Sequence, residues 1–124
     1  MIKMIYLLKR REGMTRDEFI ALYESRHARL GEKYAPTASR YVRRYLEPLA
    51  ELFTGNVVEP DHDVITELWF DTEEDYAASM EILSRPEVMA EIVADEETIF
   101  DRSKHRLFRA DERDSVIPAK GGKA

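Results

Sequence analysis

The chain contains no cysteine, and this absence excludes several kinds of functional site at once. Without cysteine the protein has no disulfide bond, no thiolate nucleophile and no zinc site built on sulfur ligands. The sequence also lacks a glycine-rich nucleotide-binding pattern, an H-E-x-x-H zinc motif and a G-x-S-x-G nucleophile motif. Nucleotide binding and the common hydrolase mechanisms therefore have no support in the sequence.

An excess of positive charge is missing as well. The 124 residues include 19 lysines and arginines against 25 aspartates and glutamates, which gives a net charge of −6. Nucleic-acid binding requires a basic surface, and no apolar run here is long enough to cross a bilayer. The N-terminal apolar run is too short for a secretory signal. We therefore expect no nucleic-acid partner, no membrane partner and a cytoplasmic location.

The composition that remains is that of one globular domain. Hydrophobic residues make up 44% of the chain and charged residues 35%, which is too apolar for a disordered protein. We expect a single domain over residues 1–114, followed by a flexible C-terminal tail at residues 115–124.

The clearest local signal is a helix start near residue 15. Thr15 and Glu18 have the T-x-x-E spacing of a capping box, and Met14 and Phe19 have the spacing of a hydrophobic staple. Apolar and aromatic residues then recur at helical spacing. The pattern predicts a first helix over residues 16–31.

The remaining elements complete a β-α-β-β-α-β order. Alternating or β-rich runs predict strands at residues 2–9, 39–46, 63–70 and 103–110. Thr72 or Asp71 begins a second helical region, which resumes at Pro86 and has Met80 on its inner side. This order predicts an α+β fold of the ferredoxin-like βαββαβ type, with a four-stranded antiparallel sheet and helices on one face.

The first and third predicted strands are apolar on both faces. Ile5 and Leu7 lie opposite Met4, Tyr6 and Leu8 in the first strand. A sheet with helices on one face needs another cover for a second apolar face. A second copy of the chain would supply it, so we expect a homodimer through the sheet face. The alternative is that the 47–62 segment or the tail folds over that face.

His27 is the candidate acid–base residue. It lies one helical turn after Tyr23 on the inner side of the first helix, and histidine titrates near neutral pH. A buried, hydrogen-bonded structural histidine is the alternative at this position.

Several aromatic and apolar residues are candidates for the lining of a pocket beside His27. Tyrosines can orient a substrate through their hydroxyl groups, although ordinary packing accounts for most of them. Trp69 is a candidate for either the pocket or the dimer interface, and its position in the alternating strand favours the interface. Besides Tyr23 and Tyr6, the predicted lining comprises Phe19, Tyr41, Trp69, Met80 and His105.

Two charged groups have simpler explanations than a site. Arg40, Arg43 and Arg44 could attract an anion, but paired charges on an exposed strand explain them better. The Asp61-His62-Asp63 run is not expected to bind a metal, because adjacent residues of an extended chain point in alternating directions. We predict no metal site.

Taken together, these motifs resemble the EthD family of the dimeric α+β-barrel superfamily. The similarity lies in the run MTRDEF at residues 14–19, in Tyr23 followed by His27-Ala28-Arg29-Leu30, in ELWFD at residues 67–71, and in DE at residues 95–96 followed by FD at residues 100–101. It extends over about residues 1–112.

The resemblance implies a ferredoxin-like protomer, a homodimer, and a pocket between sheet and helices. It further implies a cofactor-free acid–base enzyme of the lyase, dehydratase, cyclase or isomerase type, acting on a small apolar, aromatic or polyketide-like molecule. His27 would move the proton, and Tyr23 and Tyr6 would orient the substrate. The alternatives are a non-catalytic protein that binds a small hydrophobic ligand, and a pocket filled by the protein's own side chains.

Overall fold

A computed structural model describes residues 1–119. Its sheet has the strand order β2-β3-β1-β4, and every neighbouring pair is antiparallel. The strands are β1 (Ile2–Leu8), β2 (Arg40–Tyr45), β3 (Val64–Phe70) and β4 (Arg106–Arg109). The two most apolar strands, β1 and β3, lie at the centre. The predicted βαββαβ order and the α+β fold class are confirmed.

The first helical region begins at the predicted cap but is not one continuous α-helix. The Thr15 hydroxyl accepts a hydrogen bond from the Glu18 backbone N–H at 3.1 Å, and α1 (Arg16–Leu22) follows. A π-helical turn (Tyr23–His27) then separates α1 from α2 (Ala28–Tyr34). The prediction of a helix over residues 16–31 therefore identified the helical region but did not include the π-helical turn within it.

The second helical region comprises α3 (Glu73–Leu83) and α4 (Pro86–Ile99). Thr72 caps α3 through its hydroxyl, and Pro86 occupies the first turn of α4, as the sequence predicts.

The last strand is shorter than predicted. A 3₁₀ turn (Arg102–Lys104) occupies the start of the predicted strand, and β4 follows it. The turn forms because the Asp101 carboxylate accepts hydrogen bonds from the backbone N–H and the hydroxyl of Ser103, at 3.1 and 2.6 Å.

All helices pack on one face of the sheet. The buried side chains that β1 and β3 turn toward them form the sheet side of the core, namely Ile2, Met4, Leu8, Val64, Thr66, Leu68 and Phe70. The opposite face, here called the open face, has no helix over it. It carries the partly buried apolar side chains of Ile5, Leu7, Val42, Ile65 and Trp69.

The 47–62 segment does not cover the open face. Its apolar residues point into solvent, with Leu52 and Phe53 both 93% exposed. Val116 and Ile117 in the predicted tail are exposed too. Residues 115–119 carry no helix or strand, and residues 120–124 lie outside the described residues. No helix within residues 1–119 is long and apolar enough to cross a membrane.

Candidate functional site

A cavity of about 90 Å³ lies between the helix-facing side of the sheet and the helices. Aliphatic side chains such as Leu8, Leu30, Leu83 and Ile92 form most of its wall. Polar atoms enter it from a small set of residues: Tyr6, Tyr23, His27, Tyr41, Thr66 and Glu96. A mostly apolar cavity with a few convergent polar groups is typical of a small-molecule site.

His27 is oriented by a carboxylate on α4. Its Nδ1 lies 3.0 Å from Oδ2 of Asp95, and Asp95 in turn accepts a hydrogen bond from the Arg26 guanidinium at 2.6 Å. The imidazole ring also packs edge-to-face against Tyr23 and Phe100, with centroids 5.2 and 5.1 Å away. Because the ionised Asp95 carboxylate can only accept, Nδ1 carries the hydrogen, and in the neutral ring the lone pair is on Nε2. This is the arrangement that prepares a histidine to accept a proton.

The π-helical turn brings Tyr23 and His27 to the same cavity. The Ala28 backbone N–H donates to the Tyr23 carbonyl, five residues back, which widens the turn. Both side chains consequently reach the cavity wall, and π turns of this kind occur frequently at functional sites. No capping or periodicity signal in the sequence marks this turn.

The tyrosine hydroxyls form a short hydrogen-bonded chain across the cavity wall. The Tyr23 hydroxyl lies 2.6 Å from the Thr66 hydroxyl and 3.2 Å from that of Tyr41. Burial raises the pKa of Tyr23 and of Tyr41, and it raises the pKa of Tyr6 to about 12. All three tyrosines are therefore protonated at neutral pH, so each hydroxyl group carries a hydrogen that it can donate.

Glu96 is a site residue that no role was predicted for. It lies on α4 next to Asp95, lines the cavity, and places Oε2 3.9 Å from Nε2 of His27. Its other oxygen lies 3.3 Å from the Arg102 guanidinium. Burial raises the pKa of the Glu96 carboxyl, whereas His27 and Arg102 act in the opposite direction. The Asp-Glu pair at residues 95–96 is part of the resemblance to the EthD family, but the pair by itself indicates no role, since such pairs are common on solvated helices.

Two of the predicted pocket residues lie in the core instead. Phe19 is fully buried against Tyr23 and Phe100, with centroids 6.2 and 5.6 Å away, and does not line the cavity. Met80 packs on the neighbouring core cluster around Phe70. Helical periodicity identified both as inward-facing but could not separate a core position from a cavity wall.

Two further predicted pocket residues, Trp69 and His105, lie outside the cavity. Trp69 is on the open face, where Lys3 and Arg40 stack on its ring at 3.8 and 4.4 Å, because strand alternation turns it away from the helices. The His105 ring packs edge-to-face against Phe100, with centroids 5.2 Å apart. Burial lowers the pKa of His105 to about 4. Of the residues predicted for the site, the cavity brings together His27, Tyr23, Tyr6 and Tyr41.

Three charged residues named in the sequence analysis, Arg43, Arg44 and Asp63, have partners. Arg43 binds the Glu24 carboxylate at 2.6 Å, and Arg44 binds Glu67 at 2.5 Å. Asp63 accepts a hydrogen bond from the Arg10 backbone N–H at 2.8 Å. Among the residues that the model describes, no group of acidic and histidine side chains is arranged to hold a metal ion.

Comparison with known structures identifies the fold independently. A protein from Arabidopsis thaliana superposes with a TM-score of 0.60 and 15% identity, covering 94% of this chain and 100% of that one. An EthD family protein from Bacillus halodurans gives 0.61 and 19%, covering 91% and 99%. A dimeric ferredoxin-like protein of unknown function from Thermobifida fusca gives 0.53 and 17%, covering 88% of both chains. At these identities the likeness shows the fold alone.

The family follows from the sequence itself. None of the curated proteins compared with the chain matches its sequence significantly. The EthD domain model, in contrast, matches residues 11–103, a span that includes α1, the π-helical turn with His27, and the α4 carboxylates. The chain belongs to the EthD domain family.

Proposed function

We propose that the protein is an acid–base enzyme in which His27 moves a proton on a small, mostly apolar carbonyl compound held in the cavity. The observation that carries this proposal is the 3.0 Å contact between His27 Nδ1 and Asp95, which leaves Nε2 as a proton acceptor at the cavity wall. The reaction class is a lyase, cyclase or isomerase type, in which removal of a proton beside a carbonyl starts the reaction.

The proposed step uses only side chains of this chain. Nε2 of His27 takes a proton from the carbon next to the carbonyl. The electron pair of the broken C–H bond forms a C=C bond, and the π pair of the carbonyl moves to the oxygen to give an enolate. The Tyr6 and Tyr41 hydroxyls donate hydrogen bonds to the oxygen, which carries the developing negative charge. Asp95 stabilises the imidazolium that forms, since its carboxylate already contacts Nδ1.

The proposal includes a homodimer formed through the open face. Five partly buried apolar side chains lie there with no helix over them, and the apolar residues of the 47–62 segment point elsewhere. The Thermobifida fusca protein of the same fold is described as dimeric. A second copy meeting this face through a two-fold axis would remove it from water.

Exchange of the methyl protons of acetophenone in D₂O, followed by ¹H NMR, tests the role of His27. The wild-type protein is expected to accelerate this exchange, and His27→Asn is expected to reduce the acceleration by about 100-fold. Asparagine retains an N–H near the Nδ1 position for Asp95 but has no counterpart of Nε2, so it removes the base selectively.

The matched control is His62→Asn, because the His62 ring bonds the Lys104 carbonyl at 2.8 Å and lies outside the cavity. This variant should exchange acetophenone at the wild-type rate. Binding of acetophenone without any exchange by the wild-type protein would rule out the acid–base role. In that case the non-catalytic ligand-binding protein would be the better description of the function.

A further inference from the structure

Glu96 is the one carboxylate among the described residues that line the cavity. Its side chain is 16% exposed, and Oε2 lies 3.9 Å from His27 Nε2, so the charge faces the space that a ligand would enter. The remaining polar groups of the wall, apart from His27, are hydroxyls.

The basic side chains nearby do not face the cavity. Arg102 contacts the opposite oxygen of Glu96 from a position 44% exposed to solvent, and Arg26, 48% exposed, binds Asp95. Arg43 is held by both oxygens of Glu24. No lysine or arginine within residues 1–119 lines the cavity, so a negatively charged ligand would find no guanidinium or ammonium partner there.

The one possible cation of the wall is His27, and two carboxylates already flank it. Asp95 lies at Nδ1 and Glu96 lies toward Nε2. A ligand carboxylate placed near Nε2 would therefore come close to Glu96 as well. In a cavity walled mainly by aliphatic side chains, like charges at such distances repel strongly because little water screens them.

We propose that Glu96 selects the charge of the ligand, so that the cavity accepts uncharged aromatic carbonyl compounds and rejects carboxylates of the same shape. This inference rests on the proposed function, in that it assumes a ligand beside His27. It adds a substrate class, namely neutral molecules with a carbonyl oxygen for the tyrosine hydroxyls.

Alkaline solution favours the charged form of Glu96 because burial raises the pKa of its carboxyl group. The neighbouring Asp95 also raises this pKa, whereas His27 from the π-helical turn and Arg102 from the 3₁₀ turn lower it. Tyr6 from β1 is protonated, and the charge of Glu96 contributes to its raised pKa.

Benzamide and benzoate provide the test, because they have nearly the same shape and differ in charge. Their affinities would be measured by NMR titration of the wild-type protein, of Glu96→Gln, and of Glu97→Gln, whose parent residue is exposed and is not part of the cavity wall. At about pH 8, benzamide is expected to bind about tenfold more tightly than benzoate to the wild-type protein and to Glu97→Gln. The preference should fall several-fold in Glu96→Gln, which removes the repulsion but leaves a cavity without a lysine or arginine partner for benzoate.

The other outcomes distinguish a failure of this inference from a failure of the proposed function. Equal binding of benzoate and benzamide to the wild-type protein would overturn the inference without any variant, as would an unchanged preference in folded Glu96→Gln. Failure of benzamide and acetophenone alike to bind the wild-type protein would instead overturn the proposed function, and the inference with it.

Discussion

Replacement of Gly31 by alanine is expected to reduce acetophenone binding by about tenfold or more and to destabilise the fold by about 1–3 kcal/mol. A Cβ atom at this position would lie 2.5 Å from Cε2 of Tyr41 and 2.8 Å from its hydroxyl oxygen. The Tyr41 ring would have to move. Its movement would break the contact with the Tyr23 hydroxyl and rearrange the wall that both residues share.

Two opposing effects meet at this position. Alanine is about 1 kcal/mol more favourable than glycine inside a helix, so replacing an unobstructed glycine in α2 by alanine would stabilise the protein. The free-energy cost of the overlap between the new Cβ and the partly buried Tyr41 ring exceeds that gain, because the packed side chains around the ring leave it little space to move. Urea unfolding and NMR titration would measure both consequences.

The double variant Gly31→Ala/Tyr41→Leu separates the steric effect from any other. Leucine removes the ring atoms that the new Cβ would meet, so the double variant should be more stable than Gly31→Ala alone. Wild-type stability together with wild-type acetophenone affinity in the single variant would show that Tyr41 does not depend on Gly31 for its position.

Replacement of Ile65 by lysine is expected to convert the proposed dimer into a monomer. Ile65 is the second residue of β3 and lies on the open face, paired across the sheet with Leu7 and Arg44. A lysine there would bury an unpaired positive charge beside Arg44 in the interface, which costs several kcal/mol in each copy. In the isolated protomer the same lysine reaches water, so the fold should be retained.

Light scattering during size-exclusion chromatography would measure the result. The wild-type protein should show twice the 14.5 kDa mass of the chain, and Ile65→Lys should show that mass once. Met89→Lys is the control, because Met89 is 49% exposed and lies on α4, away from the open face. A monomeric wild-type protein at micromolar concentration would contradict the dimer.

The sequence predicts this fold well because its signals are local. Thr15 and Thr72 bond the backbone N–H groups of their own helices, so residues a few positions apart determine where each helix begins. Strand alternation likewise indicated the two apolar faces of β1 before any contact was known.

The site is harder to predict because its parts come together only through tertiary packing. Asp95 lies 68 residues from His27 in the chain and meets it because α4 packs against the π-helical turn. Tyr41 reaches the cavity across the glycine at position 31. Strand alternation favours the open face for Trp69, and its ring lies there, although Trp69 was also a candidate for the pocket.

Intermolecular NOEs between acetophenone and the protein would test most directly whether the cavity beside His27 is a ligand site. We expect contacts from the aromatic protons of acetophenone to the methyl groups of Leu83 and Ile92, which line the cavity. Contacts only to Ile5 and Ile65 on the open face, or none at saturating acetophenone, would contradict it.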